Sequence, residues 1–128
     1  MLKIFTLGFL ASNSYLYYNE EKEAYLFDIG GRNIVKIIDF IEVNNLNLTK
    51  LILTHGHIDH IEGIENLLEY KKDIKIYIAK EDEKFLYEAR YNLSTYFTGK
   101  FELDEEKIKP ILLEDNDFIK EFQVISTP

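Results

Sequence analysis

Apolar and polar residues alternate along the first part of the chain, and this period-two pattern predicts three β-strands. Residues 2–9 and 14–18 are expected to form an antiparallel pair. After a polar turn, Glu23 to Asp28 form a third predicted strand, which ends at the turn-forming pair Gly30-Gly31. The apolar N-terminus is therefore interpreted as a first strand rather than as a signal peptide.

A helical repeat follows the third strand. Isoleucines recur at helical spacing between Ile34 and Ile41, which predicts one apolar helix face over two turns, with Asn33 as N-cap and Asn44-Asn45 at the end. Leu51 to Thr54 form the next predicted strand, so the pattern predicts a β-α-β unit with a right-handed crossover. This unit brings Asp28 and the residues after Thr54 to the same edge of a sheet.

The second half of the chain continues the α/β pattern. A helix is predicted from His60 to Tyr70. It contains Gly63, which costs roughly 1 kcal/mol relative to alanine inside a helix and so indicates close packing. The remaining predicted elements are a strand at Ile74–Ala79, a short helix at Glu81–Tyr91, a surface loop at 92–107, and a hairpin made of Ile108–Leu113 and Phe118–Ser126.

The candidate chemistry lies between the predicted strand at Leu51–Thr54 and the helix after it. All three histidines of the chain fall within six positions here, beside an aspartate. In extended backbone His55 and His57 point to the same side, and Gly56 leaves the space between them open. Asp59 and His60 come after the chain turns and are expected to form a second pair. Neutral imidazole and carboxylate suit zinc, and also iron or manganese.

Two ligand pairs predict two metal ions. Ions about 3.5–4 Å apart share a bridging hydroxide in two-metal hydrolases. Asp59 has two possible roles, metal ligand or proton carrier. Asp28 is expected either to orient a ligand histidine or to be a turn residue that bonds its own backbone. The alternative for the whole stretch is a polar loop with surface histidines.

The same residues carry a resemblance to a known family. The stretch His55-Gly56-His57-Ile58-Asp59-His60 resembles the His-x-His-x-Asp-His signature of the metallo-β-lactamase-fold hydrolases. Leu26 to Gly31 resembles the family's Asp-x-Gly turn, with Ile29 where a proline is common. Asn13-Ser14-Tyr15-Leu16 resembles its early strand, and Asn92-Leu93-Ser94 and Ile125-Ser126-Thr127-Pro128 resemble the glyoxalase II-like branch.

The resemblance implies a fold and a site. The expected fold is a metallo-β-lactamase-like αββα sandwich, represented by its N-terminal part only, as a single domain over residues 1–128 that is truncated at its C-terminus. His55 and His57 would hold one metal, Asp59 and His60 the second, with Asp28 orienting a ligand histidine. The expected cofactor is Zn²⁺, two ions per complete site, with iron or manganese as alternatives.

The resemblance also implies an activity, namely metal-dependent hydrolysis similar to that of glyoxalase II-like thioester hydrolases, in which metal-bound hydroxide attacks a carbonyl. The alternatives are a mononuclear iron dioxygenase of the same fold, or a non-catalytic fragment that pairs with another chain. In that family Thr-Pro is followed by Gly-His, which supplies a further ligand, whereas this sequence stops at Pro128. The 128 residues alone are therefore expected to bind metal weakly.

Composition limits the partners. The net charge is −8 and no basic cluster is present, which argues against nucleic acid and anionic membranes. No apolar run approaches the roughly 18 residues of a membrane span. The chain has no cysteine, in keeping with a cytoplasmic location. We expect a small-molecule substrate and possible self-association through an uncovered sheet face.

Overall fold

The computed structural model describes residues 1–125, in which helices pack against one face of a mixed sheet. The strands are β1 (Leu2–Leu7), β2 (Ser12–Tyr18), β3 (Glu23–Phe27), β4 (Asn47–Ile52), β5 (Lys75–Ala79) and β6 (Ile111–Leu113). They lie in the order β1-β2-β3-β4-β5-β6. Strands β1, β2 and β3 are antiparallel neighbours, and β3, β4, β5 and β6 are parallel. This mixed sheet with helices confirms the predicted α/β class.

Short helices connect the strands of the parallel half. Helix α1 lies between β3 and β4, which confirms the predicted β-α-β unit. The helices are α1 (Val35–Val43), α2 (Ile58–Ile61), α3 (Ile64–Tyr70) and α4 (Ala89–Asn92), with 3₁₀ segments at Lys80–Leu86 and Ser94–Tyr96. Within residues 1–125, no helix combines the length and the apolar character that crossing a membrane requires.

The main core lies between the sheet and the helices. Leu16, Leu26 and Leu51 are inaccessible to solvent on neighbouring strands, and Ile37 and Ile61 face them from α1 and α2. These side chains occupy alternate strand positions and one helical stripe, as the hydrophobic pattern predicts. The core therefore fixes the ends of β3 and β4 relative to α2.

A second apolar cluster lies on the opposite sheet face. Two short strands, β7 (Phe118–Ile119) and β8 (Phe122–Gln123), form a separate pair that covers part of this face. The ring of Phe122 lies 5.0 Å from Tyr17 and 5.4 Å from Phe27. Leu2 and Ile4 of β1 remain exposed. Self-association through this uncovered part stays a prediction.

The predicted hairpin of Ile108–Leu113 and Phe118–Ser126 is wrong. β6 pairs in parallel with β5, Leu113 lying opposite Ala79, and β7 pairs with β8 instead. Pairing with β5 gives Ile111–Leu113 a place at the edge of the main sheet, where Leu113 is buried in the second cluster. The end of the predicted hairpin, at Ser126, lies outside the described residues.

The predicted helix from His60 to Tyr70 is divided at Gly63. Helix α2 ends at Ile61, and Gly63 becomes the N-cap of α3. The Gly63 N–H donates to the Ile29 carbonyl at 2.8 Å. A Cβ on Gly63 would overlap the Gly31 carbonyl oxygen and lie 2.7 Å from Ile29 Cγ1. The glycine therefore allows both helices to dock on the turn after β3.

Two further boundaries differ from the sequence pattern. The N-cap of α1 is Ile34, although Asn33 Oδ1 still accepts the Val35 N–H at 3.3 Å. The predicted helix at Glu81–Tyr91 is a 3₁₀ segment, a turn and the start of α4.

The predicted surface loop at 92–107 is wrong in part, because Asn92, Ser94, Phe101 and Leu103 are buried. The amide of Asn92 and the hydroxyl of Ser94 bond backbone groups, which makes their burial possible.

Gly63→Ala is expected to destabilise the protein. Alanine is less favourable than glycine at an N-cap, and overpacking against the Gly31 carbonyl costs about 1–3 kcal/mol. Urea denaturation measures the difference, with Glu69→Ala on the exposed side of α3 as the control. A Gly63→Ala protein as stable as the control would contradict the close contact.

Candidate metal centre

The predicted site residues lie where β3 and β4 end. Asp28 follows β3, and its N–H donates to the Ile52 carbonyl at the end of β4 at 3.0 Å. The stretch from Thr54 onward leaves β4 and enters α2, with His57 in extended conformation as the N-cap. The carboxyl ends of parallel strands meet at one edge, which is where open α/β sheets place ligands.

The three histidines and Asp59 come together at this edge. One nitrogen each of His55 and His60 and one carboxylate oxygen of Asp59 lie within 4.8 Å of one another. The ring centroids of His55 and His60 are 3.7 Å apart, and those of His55 and His57 are 5.1 Å apart. His57 thus lies beside the three-residue group without being part of it.

This grouping differs from the two pairs expected from spacing. Asp59 and His60 were expected to form a separate pair, but the first turn of α2 brings them close to His55. Alternation describes only the extended residues up to the N-cap, and beyond it the helical period sets the direction.

Asp28 is the buried anchor of the site. Its side chain is 5% exposed and its backbone is left-handed, with φ of 65°. Its carboxylate accepts three hydrogen bonds, from the Thr54 N–H at 2.8 Å, the Thr54 hydroxyl at 2.6 Å and His60 Nδ1 at 2.9 Å. Burial of a charge requires such partners. Asp28 therefore contacts a histidine of the group directly, rather than serving only as a turn residue.

The hydrogen-bond network assigns the tautomers of two imidazoles. The carboxylate of Asp28 is an acceptor, so His60 Nδ1 carries the proton. The Thr54 hydroxyl gives its only proton to Asp28 and must accept from His55 Nδ1, 3.2 Å away. In both rings the lone pair is then on Nε2. This tautomer is the one that a metal-binding imidazole needs.

Two contacts to Asp59 were not predicted from the sequence. The Ser12 hydroxyl donates to Asp59 Oδ2 at 3.1 Å from the start of β2. A Cβ on Gly30 would overlap the Asp59 carbonyl oxygen, so this glycine permits close approach of α2. No local pattern marks Ser12, because the contact spans 47 positions and depends on the docked sheet.

Burial and neighbouring charges shift the pKa values of His55 and His60 in opposite directions. Burial lowers the pKa of His55, and the neighbouring His60 adds to the effect. Burial also acts against a charged His60, but the hydrogen bond and negative charge of Asp28 outweigh it, and the pKa of His60 is raised. Metal ions bind neutral imidazole. Proton release on metal binding is therefore expected chiefly from His60.

The donor set suits a divalent transition metal. Two imidazoles lie within reach of one carboxylate, with His60 Nε2 at 3.4 Å from Asp59 Oδ2, and a third imidazole lies alongside. Zinc and iron both bind this combination of ligands. Within residues 1–125, His55, Asp59 and His60 form the group with this geometry.

Comparison with known proteins identifies similar sequences. A family model described as the metallo-beta-lactamase superfamily matches residues 7–127. The hydroxyacylglutathione hydrolase GloC of Haemophilus influenzae is 35% identical over 88 residues, which cover 69% of this chain and 41% of that protein. The probable metallo-hydrolase YqgX of Bacillus subtilis is 30% identical over 93 residues, covering 73% of this chain and 43% of that protein. The chain spans less than half the length of these relatives.

Solved structures share the fold. The B3 metallo-beta-lactamase BLEG-1 superposes with a TM-score of 0.80 at 27% identity, over 93% of this chain and 56% of that one. TTHA1623, determined in a di-iron-bound form, gives a TM-score of 0.76 at 25% identity, over 96% of this chain and 59% of that one.

Asp28→Asn is expected to lower the pKa of His60 in the metal-free chain, because it removes the negative charge that favours the protonated ring. A pKa that is higher in the folded state stabilises the fold below the ordinary histidine value of about 6.5, and this contribution is lost as pH rises through the raised pKa. The stability difference between the unaltered chain and Asp28→Asn should therefore shrink as pH rises through that pKa.

NMR titration of the His60 ring and urea denaturation at several pH values measure the two effects. Asp73→Asn, at an exposed aspartate, is the control. An unchanged His60 pKa in Asp28→Asn would contradict the assigned pairing.

Proposed function

The chain belongs to the metallo-beta-lactamase superfamily, whose model matches residues 7–127, and from this premise we propose that it forms the metal-binding part of a metal-dependent hydrolase. The convergence of His55, Asp59 and His60 carries the proposal. Because the chain spans less than half of its curated relatives, we assign the activity to a longer protein of which residues 1–128 would be the N-terminal part of one domain.

We propose His55, His57, Asp59 and His60 as metal ligands. His55 and His60 are favoured by their tautomers, and Asp59 by its place in the same group. His57 is favoured by its ring, which lies next to His55 at the N-cap of α2. Asp28 orients His60 directly and His55 through Thr54.

The proposed reaction is hydrolysis of a thioester, as the name of the Haemophilus relative, hydroxyacylglutathione hydrolase, suggests. Water adds to the thioester carbonyl, the carbon–sulfur bond breaks, and the products are a carboxylic acid and a thiol. Divalent ions bound here would supply a water of lowered pKa and polarisation of the carbonyl. Asp59 would take up the proton released by that water, since Ser12 holds Oδ2 in place.

The proposed cofactor is zinc, two ions in the complete site, with iron or manganese as the alternatives to be tested. A catalytic zinc site usually has three protein ligands and a water. His55, Asp59 and His60 form one group and His57 lies beside it, so these four side chains are too few to supply three ligands to each of two ions. We therefore propose that further ligands come from outside residues 1–128. The proposed partner is a small-molecule substrate and the proposed location is the cytoplasm.

One observation favours a second function. His55, Asp59 and His60 are two imidazoles and one carboxylate, the ligand set of mononuclear non-haem iron oxygenases. In that case a single Fe(II) would occupy this group, and His57 would not be a ligand.

Metal analysis of the purified longer protein is expected to find two zinc-type ions per chain, together with thioesterase activity. The measurement is elemental analysis beside turnover of a thioester. One iron per chain, with oxygen consumption and no thioester hydrolysis, would favour the oxygenase instead.

His55→Ala and His57→Ala are each expected to lower metal content and abolish most activity. Asp59→Asn should reduce activity at least as much as metal content, because it affects proton transfer as well as binding. Asp39→Asn, an exposed carboxylate on α1, is the matched control. Full activity in His55→Ala would refute the ligand assignment, and full metal content in His57→Ala would remove that residue from it.

A further inference from the structure

His57 differs from the other two histidines in how its ring is held. His55 and His60 are oriented by hydrogen bonds to Thr54 and Asp28. Across residues 1–125, by contrast, neither ring nitrogen of His57 has a hydrogen-bond partner. Metal-binding imidazoles usually donate their second N–H to an oxygen acceptor, which fixes the ring. In the described part of the chain the orientation of His57 therefore depends on packing.

Phe85 supplies that packing. Its ring centroid lies 5.5 Å from that of His57 at an angle of 51°. This separation is within the range of favourable aromatic contact. The imidazole of His57 thus contacts two rings, those of His55 and Phe85.

Phe85 also packs on the backbone between the two histidines. A Cβ on Gly56 would overlap Phe85 Cβ and lie 2.8 Å from its Cγ. Gly56 is buried and lies in contact with this side chain. Gly56, the glycine of the His-x-His stretch, is therefore needed for this packing. Because it has no side chain, Phe85 can occupy the space beside it.

Two buried polar residues fix Phe85. Asn92 is fully buried, and its amide donates to the carbonyls of Phe85 and Phe101, both at 2.9 Å. Its Oδ1 accepts the Ser94 N–H at 2.9 Å, and Ser94 Oγ accepts the Phe101 N–H at 2.9 Å. Leu93 between them is left-handed, with φ of 67°. These four bonds tie the 3₁₀ segment that carries Phe85 to the segment after α4.

We infer that Phe85 is a positioning residue for the His57 imidazole, and that Asn92, through its bond to the Phe85 carbonyl, holds Phe85 against Gly56 and His57. The consequence for metal binding rests on the proposed function, whereas the effect on the His57 ring does not. The inference gives the Asn92-Leu93-Ser94 motif a physical role at the metal centre, although none of its residues is a ligand candidate.

NMR of the metal-free chain tests the orientation directly. Phe85→Ala and Phe85→Leu are expected to shift the ring signals of His57 and to remove the contacts between its ring protons and residue 85, while the His60 signals stay in place. Phe85→Leu retains an apolar side chain beside Gly56. It is therefore the variant to use if Phe85→Ala does not fold. Phe85→Tyr retains the ring and should restore the His57 signals.

Two controls separate positioning from general stability. Tyr91 stacks on Phe85 at 5.9 Å, and Tyr91→Ala removes an aromatic contact of Phe85 without removing the Phe85 ring. Ser94→Ala removes the hydrogen bond from the Phe101 N–H to Ser94 Oγ, but it leaves the bond from Asn92 to the Phe85 carbonyl. Asn92→Ala should move the His57 signals in the same direction as Phe85→Leu, and both controls should move them less.

Zinc titration against a chromophoric chelator gives the second readout. Phe85→Leu is expected to weaken zinc binding by about 10-fold or more, as loss of a supporting residue around a metal ligand does, and Phe85→Tyr by less than about twofold. Unmoved His57 signals in folded Phe85→Leu, or equal shifts in Tyr91→Ala, would overturn the inference. If the longer protein bound no zinc, iron or manganese, the proposed function would fail, while the NMR result would still decide the role of Phe85.

Discussion

The site depends on a single buried carboxylate. Asp28 is almost completely removed from water, and within residues 1–125 its charge is stabilised by hydrogen bonds from Thr54 and His60. These partners follow β4 and lie in α2, so the ends of two strands and the start of a helix must assemble together. Leaving such a buried charge without its hydrogen bonds costs far more than most single contacts contribute. The requirement to satisfy Asp28 thus links the stability of the fold to the geometry of its candidate ligands.

The two sheet faces have different parts in this arrangement. On the helix face, the apolar core fixes the positions of β3, β4 and α2 relative to one another. The opposite face is covered in part by β7 and β8, with the ring of Phe122 among three aromatic residues of β2 and β3. The candidate ligands lie at the edge between these two layers. A change in packing on either face would therefore alter the site by moving the ends of β3 and β4.

Sequence patterns predicted the β-α-β unit and the place of the histidine cluster, because both follow from local period and order along the chain. The direction of the His60 side chain could not be predicted from these patterns, because it depends on where the helical turn begins after His57. The break at Gly63 and the hydrogen bond from Ser12 to Asp59 depend on elements far apart in sequence. The burial of Asn92 and Ser94 within the predicted surface loop was not predicted, because polar residues satisfied by backbone groups look the same in sequence as solvated ones.

The unequal support of the three imidazoles has an entropic consequence. His55 and His60 have already lost their rotamer freedom to Thr54 and Asp28, so an ion that enters between them and Asp59 encounters side chains that need no further ordering. Within residues 1–125, His57 is restrained by ring contacts and by no hydrogen bond of its ring, so an ion that recruits it must restrict it further. Occupancy of the centre would then be sequential, with the position at His55, Asp59 and His60 filling at lower metal concentration than the position that needs His57.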